Sequence, residues 1–492
     1  MSQLFYNEME TVKTAQDLIS KKLINNARDV IHVGLQCFPE SKPLHLLAAQ
    51  VAIKMNDFHA AVAGYKFLLE IEPNNPEYLI YATNALSHAG NSDMALEYAE
   101  RFIKVANNKA DGLFAKADIY ERNNKPEYTI EILENIDEKT RSGMRWKWIE
   151  IRVLLQTKQY EKAIDLLLES REEFENSSES HDKSSASFSL FKAYDRLGEY
   201  DKAWAAAEKA HELNDTFFDE DTFFGMFDDL ESFMSKEMVD ALVSGPETEV
   251  EPLFIVGNPR SGTSLLEQIM SMHPDIVNGG EMSIGAFMQM DLASLTDSFH
   301  SYPMSLLDMR ETEAKVLSKK YFDAVEIFRK DEKIVTNKSL ALDFQLGFLS
   351  KVMPNSRAIM LQRHPLDNAV SCFTTNLISS GHGYANSLEC LGKTLIARKK
   401  LTNCYLERLS IPMMELQYES LVDNQREETE RIIKFLGLPW AEECMDFHKS
   451  KYVARTISYD QVNQKMYTSS KNRWKNYEKH LGPLIDMFSD YI

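Results

Sequence analysis

The sequence predicts two architectures in series: an all-α array of helical repeats, then an α/β domain built around a central parallel sheet. Three observations carry this. Small residues recur every 34 positions through much of the first 200 residues. Short apolar runs separated by helical segments follow residue 250. The first of those runs, Pro252-Leu-Phe-Ile-Val256, ends in the turn Gly257-Asn-Pro-Arg260-Ser-Gly262-Thr-Ser264 and then a helical pattern, and such a strand–loop–helix is a phosphate cradle. At 492 residues and 44% hydrophobic composition the chain has ample material for two or three packed cores.

The repeat is read first. Ala27, Ala61, Ala95, Thr129 and Ala163 lie 34 apart, and Ala203 follows after 40. Small residues are needed where two helices cross closely, and Pro39 and Pro73 stand where the second helix of a pair must stop. The six extra residues before the last repeat coincide with the polar run Asn176 to Ser185. The period resembles that of tetratricopeptide (TPR) repeats, so residues 10–215 are expected to form about six helical pairs in a solenoid. Residues 216–250 are expected to form an acidic, aromatic linker helix region, with Gly245-Pro246-Glu-Thr-Glu-Val250 as its closing boundary.

From 251 to 492 the pattern becomes α/β. The runs Leu253–Val256, Lys333–Thr336, Arg357–Leu361 and Met413–Leu416 are expected strands of a parallel sheet joined by crossover helices. Ligands bind beyond the carboxyl ends of such strands, where the remaining motifs fall. The spacing from Gly257 to Gly262 fits the nucleotide-triphosphatase P-loop frame, yet Thr263 occupies the place of its phosphate-binding lysine, so ATP is a poor fit.

The segment Pro259 to Leu265 instead resembles, at every position, the 5′-phosphosulfate loop of sulfotransferases, enzymes that use 3′-phosphoadenosine 5′-phosphosulfate (PAPS). Four further stretches extend the likeness over residues 252–484: Asn337-Lys338-Ser339, Arg363 with Ser371, Tyr418-Glu419 with Leu421, and Arg473-Trp474 with Tyr477. Within the family, Gly280-Glu281 after His273-Pro274, and Ser458-Tyr-Asp460-Gln461-Val462 ahead of Arg473-Trp474, are similar to protein-tyrosine sulfotransferases. The resemblance implies cofactor contacts from Arg260, Ser261, Gly262, Thr263, Ser264, Arg363, Ser371, Tyr418 and Arg473. It implies catalytic roles for Glu281 as general base and for Arg260, Lys338 and Ser458 around the leaving oxygen. Two departures touch the acceptor: Met282 to Phe287 lack the arginines that meet acidic peptides in the tyrosine enzymes, and Thr375 replaces an arginine after Ser371.

Five scattered cysteines without C-x-x-C spacing argue for reduced thiols and no metal. The net charge of −20 is concentrated before residue 251, which disfavours nucleic acid. No apolar run approaches a membrane span and the first residues lack a signal-peptide pattern, so a cytoplasmic enzyme is expected. The array is expected to recruit a peptide or protein acceptor, with homodimerisation as another role for it. The alternatives are the same chemistry on a glycan, lipid or small-metabolite hydroxyl, and a non-catalytic TPR scaffold that retains a nucleotide site.

Overall fold

A computed structural model describes residues 7–177, 180–214, 216–378, 381–450, 466 and 470–491. The chain divides into two compact units, the first running to Thr157 and the second from Lys158 onward through the sheet and the C-terminal residues 470–491. The division falls inside the expected repeat array, so the last helices of the array share a unit with the sheet.

The first unit is built from antiparallel helical pairs, Glu8–Ser20 with Ile24–Cys37, Lys42–Lys54 with Phe58–Ile71, Pro76–His88 with Ser92–Val105, and Ala110–Arg122 with Pro126–Asn135, followed by Met144–Gln156. The small residues sit where the spacing places them: Ala27, Ala61, Ala95 and Thr129 are completely buried. Threonine is tolerated at 129 because its hydroxyl donates to the Ala117 carbonyl at 3.1 Å, leaving no buried donor unmade. Each first helix ends in a left-handed residue five positions before the small one: Lys22, Asn56, Gly90 and Asn124 here, and Lys158 and Gly198 further on. The next amide bonds back five residues, as Asp57 to Ala52 and Asn91 to Leu86 do, and this closes the helix and reverses the chain.

The second unit opens with the helix Tyr160–Glu169 and the pair Ser180–Arg196 and Tyr200–Glu212. Its sheet has five parallel strands in the order β2-β3-β1-β4-β5: β1 (Glu251–Gly257), β2 (Ile276–Val277), β3 (Ile334–Asn337), β4 (Arg357–Gln362) and β5 (Met413–Gln417). The two-residue β2 is not foreshadowed by any apolar run. Successive residues point to opposite faces; β3 and the interiors of β1 and β4 are buried on both, while the edge strand β5 leaves Glu415 and Gln417 exposed. Phe254, Val256, Ala358 and Met360 join one apolar cluster, while Leu253, Ile255, Ile359 and Leu361 join another. A third cluster ties the last helical pair to this unit, with Phe191, Ala203, Trp204 and Ala207 against Leu366, Val370, Phe373 and Tyr477. Among the described residues no helix is long and apolar enough to cross a membrane.

Candidate active site

The site lies at the carboxyl ends of the strands, where the loops after β1 to β5 converge. After β1 the chain turns through Asn258 to Gly262 and enters the helix Thr263–Met270. Two left-handed residues shape the turn, Arg260 at φ 64° and Gly262 at φ 104°. Gly262 is required twice over, since a Cβ there would lie 2.4 Å from the Tyr418 ring. Amides that follow one another through such a turn into a helix N-terminus form an anion-binding concavity. Ser261, Thr263 and Ser264 are buried in it, and the Ser261 hydroxyl has no hydrogen-bond partner.

The residue groups expected to bind nucleotide converge on this turn. Arg363, just past β4, donates to the Arg260 carbonyl at 2.7 Å and to the Ser470 carbonyl at 2.8 Å, and its guanidinium lies over the Tyr418 ring at 4.9 Å. Its buried Nε has no partner. Ser371, on the helix Pro365–Phe373, accepts from Arg260 Nε at 3.2 Å. Tyr418 meets the Ser470 hydroxyl through its own at 2.7 Å. Asn368 and the Cys372 thiol both donate to the Pro259 carbonyl, fixing the turn from below, and burial pushes that thiol up to about 12. The orphaned Ser261 hydroxyl, the free Arg363 Nε and the amide-lined turn are donors that fit a nucleotide carrying phosphates.

A second group lies where β2 and β3 end. Gly279 must be glycine, because a Cβ would meet the Thr336 carbonyl at 2.1 Å. Its amide donates to the Thr336 hydroxyl at 3.1 Å, the Gly280 amide to Glu267 at 3.0 Å, and the Lys338 amide to the Gly280 carbonyl at 2.9 Å. This stitching delivers Glu281 beside Lys338, whose Nζ donates to Glu281 Oε1 at 2.7 Å. Lys338 is 2% exposed and Glu281 44%, so a buried cation faces a carboxylate that remains partly open to solvent. Glu281 does not cap the following helix, which starts at Ile284 with Ser283 as its cap. Glu267, 1% exposed on the loop helix, is an acid that the sequence reading did not single out; burial pushes its carboxyl above the usual range, against the pull of Lys338, Thr336 and Gly280.

Two expected residues are not gathered here. Ser458 lies outside the described residues. Arg473, expected among the cofactor contacts, instead pairs with Asp195 of the last helical pair at 2.9 Å, and Tyr477 donates to the same carboxylate. The segment that carries Arg473 is nonetheless tied to the helix that carries Ser371: Asp367 accepts from the Asn472 and Trp474 amides at 2.7 and 2.9 Å. Glu419 similarly accepts from the His364 amide at 3.0 Å. A glutamate set between the apolar pairs Leu265-Leu266 and Ile269-Met270 marks Glu267 as a candidate buried acid but names no partner for it, and nothing local marks Asp195 or Asp367.

Residues 252–442 match the model of the sulfotransferase family. The sheet-bearing unit carries a sulfotransferase-family domain. An uncharacterised protein of Aquifex aeolicus is 24% identical over 98% of this chain and 70% of its own. Protein-tyrosine sulfotransferase 2 of Gallus gallus is 26% identical over 39% of this chain, and a putative protein-tyrosine sulfotransferase of Caenorhabditis briggsae 25% over 48%. The matched region spans 53% of the Gallus protein and 82% of the Caenorhabditis protein. Among solved structures, the sulfotransferase domain from the curacin biosynthetic pathway is 17% identical with a TM-score of 0.35, covering 48% of this chain and 98% of that one. A tetratricopeptide repeat protein from Parabacteroides merdae is 11% identical with a TM-score of 0.37, covering 47% of this chain and 88% of that one.

Proposed function

We propose that this protein transfers a sulfonate group from PAPS to an acceptor hydroxyl, tyrosine in a peptide or protein being the acceptor class favoured by the names of its relatives. The observation that carries the reading is the convergence of Arg260, Arg363, Ser371 and Tyr418 on a phosphate turn that has threonine in place of the triphosphatase lysine, with the Glu281–Lys338 pair at the neighbouring strand ends.

Arg363 and Ser371 would hold the 3′-phosphate, the arginine through its planar fork of donors. The amides of the turn and Arg260 would hold the 5′-phosphosulfate. When bound, PAPS supplies an electrophilic sulfur: the acceptor oxygen bonds to sulfur as the sulfur–bridging-oxygen bond breaks, its electron pair leaving with the nucleotide phosphate. Glu281 takes the acceptor proton, a role worth about 10²–10⁴-fold when a carboxylate is within hydrogen-bond reach. Lys338 and Arg260 offset the charge that grows on the leaving oxygen. Before that, the Lys338–Glu281 contact must open enough for Glu281 to face the acceptor.

Calorimetry with 3′-phosphoadenosine 5′-phosphate (PAP), ATP and adenosine 5′-phosphosulfate tests the donor. PAP should bind far more tightly than the other two, and Arg363→Ala should weaken it by about 10- to 100-fold, the worth of a charged hydrogen-bonded contact. Equal binding of all three nucleotides, or an indifferent Arg363→Ala, would remove the basis for this reading.

A further inference from the structure

Glu267 is the one acid on the helix that follows the phosphate turn, and it is almost completely buried although nothing in the donor chemistry calls for an acid there. Its Oε1 accepts from the Gly280 amide at 3.0 Å and from the Thr336 hydroxyl at 2.8 Å. Its Oε2 faces Lys338 Nζ at 4.0 Å, on the same ammonium that Glu281 holds at 2.7 Å. One side chain therefore touches the segment that presents Glu281, the strand end that presents Lys338, and the helix whose N-terminus forms the phosphate turn. A buried carboxylate is costly unless its lone pairs are met, and each partner it has found belongs to one of these parts.

We infer that Glu267 is a positioning residue for sulfonate transfer: it locks the Gly280–Glu281 turn and Lys338 in register with the phosphate turn, and it keeps a second negative partner beside Lys338 when Glu281 turns to the acceptor. The inference rests on the proposed sulfotransferase reading for its consequence, though not for its geometry. It makes a specific separation. Arg363, Ser371, Tyr418 and the amides that hold nucleotide lie outside the Glu267 contacts, so loss of its charge should leave donor affinity alone and slow the transfer.

The test uses the full chain and two variants. Glu267→Gln keeps the size and an oxygen able to accept from Gly280 and Thr336, but turns a charge facing Lys338 into an amide. Glu267→Ala removes every contact. Turnover is read as PAP released from PAPS, to water or to an acceptor, and amide hydrogen exchange is read at Gly280 and Glu281. For Glu267→Gln the expected result is a fall in kcat of about tenfold or more, with the PAP dissociation constant within about threefold and melting unchanged. For Glu267→Ala the Gly280 amide should exchange about tenfold faster. Wild-type kcat in Glu267→Gln, or a fall in kcat matched by an equal loss of PAP affinity, overturns the positioning role. So does an unchanged Gly280 exchange rate in Glu267→Ala. If the wild type binds PAP yet releases none from PAPS, the sulfotransferase reading fails by itself, and the exchange result still decides whether Glu267 holds the turn.

Discussion

Gly262 shows how narrowly single residues set the turn after β1. Its left-handed φ of 104° is strained for any L-residue, and the Tyr418 ring fills the space a methyl would need. Gly262→Ala should therefore lower the stability of the sheet-bearing unit by about 2 kcal/mol and weaken PAP in parallel, measured by melting and calorimetry. His382 offers a pH test. Burial first, and the Arg398 charge second, push this imidazole down to about 4, against a smaller upward pull from Glu281. Between the unfolded value near 6.5 and about 4 the unfolded chain binds a proton that the folded chain refuses, so stability present at neutral pH is lost as pH falls through that window. From pH 7 to pH 5 the wild type should lose about 2 kcal/mol more than His382→Gln in urea unfolding. Residues of this kind differ in legibility. Arg260, Arg363, Ser371, Tyr418 and Lys338 announce themselves by motif and do meet at the strand ends. Glu267, Asp367 and Asp195 do not, because their partners lie 13, 105 and 278 positions away and a lone acid in a helix gives no hint of what it will face.

At the scale of elements, helix pairing was readable from one small residue per pair, because a close crossing admits little else at Ala27, Ala61 or Ala95. The turns between paired helices were only half readable. Gly90, Gly198, Asn56 and Asn124 suit a left-handed position, whereas Lys22 and Lys158 occupy the same conformation without the matching chemistry. Lys22 is exposed and lies just before the amide of Leu23 that closes the helix onto Leu18. Lys22→Gly should relieve the backbone without removing a packed side chain, and raise the stability of the first unit by about 1 kcal/mol in thermal melting. Strands were legible where their apolar runs are buried on both faces, as in β1 and β4. Strand β2 was not, since two residues carry no period, and it exists to bring Gly279 and Gly280 against the end of β3.

On the scale of the whole chain, composition and repeats place a boundary near residue 215, but the contacts draw it at Lys158. The reason is chemical. The pair Ser180–Arg196 and Tyr200–Glu212 has the sequence of one more repeat, yet its outer side is matched to the sulfotransferase-family domain. Trp204 stacks on Phe373 at 5.0 Å and on His480 at 4.9 Å, His211 bonds the Phe373 carbonyl at 2.7 Å, and Asp195 holds Arg473 and Tyr477. These contacts grip the C-terminal end of the helix that carries Ser371, and the segment that Asp367 ties down beside Arg363. A chain cut to begin at 158 should keep all of them, stay folded and bind PAP with unchanged affinity. A chain cut to begin at 216 should lose them, baring Leu366, Val370, Phe373 and Tyr477 and leaving Arg473 without its carboxylate. That second fragment is expected to aggregate, or to bind PAP at least about tenfold more weakly, as several kcal/mol of apolar burial and a part-buried ion pair disappear together. Size-exclusion chromatography and calorimetry on the two fragments decide the matter: equal PAP binding would show that the last helical pair is only the end of the array, and unequal binding that it supports the proposed nucleotide site.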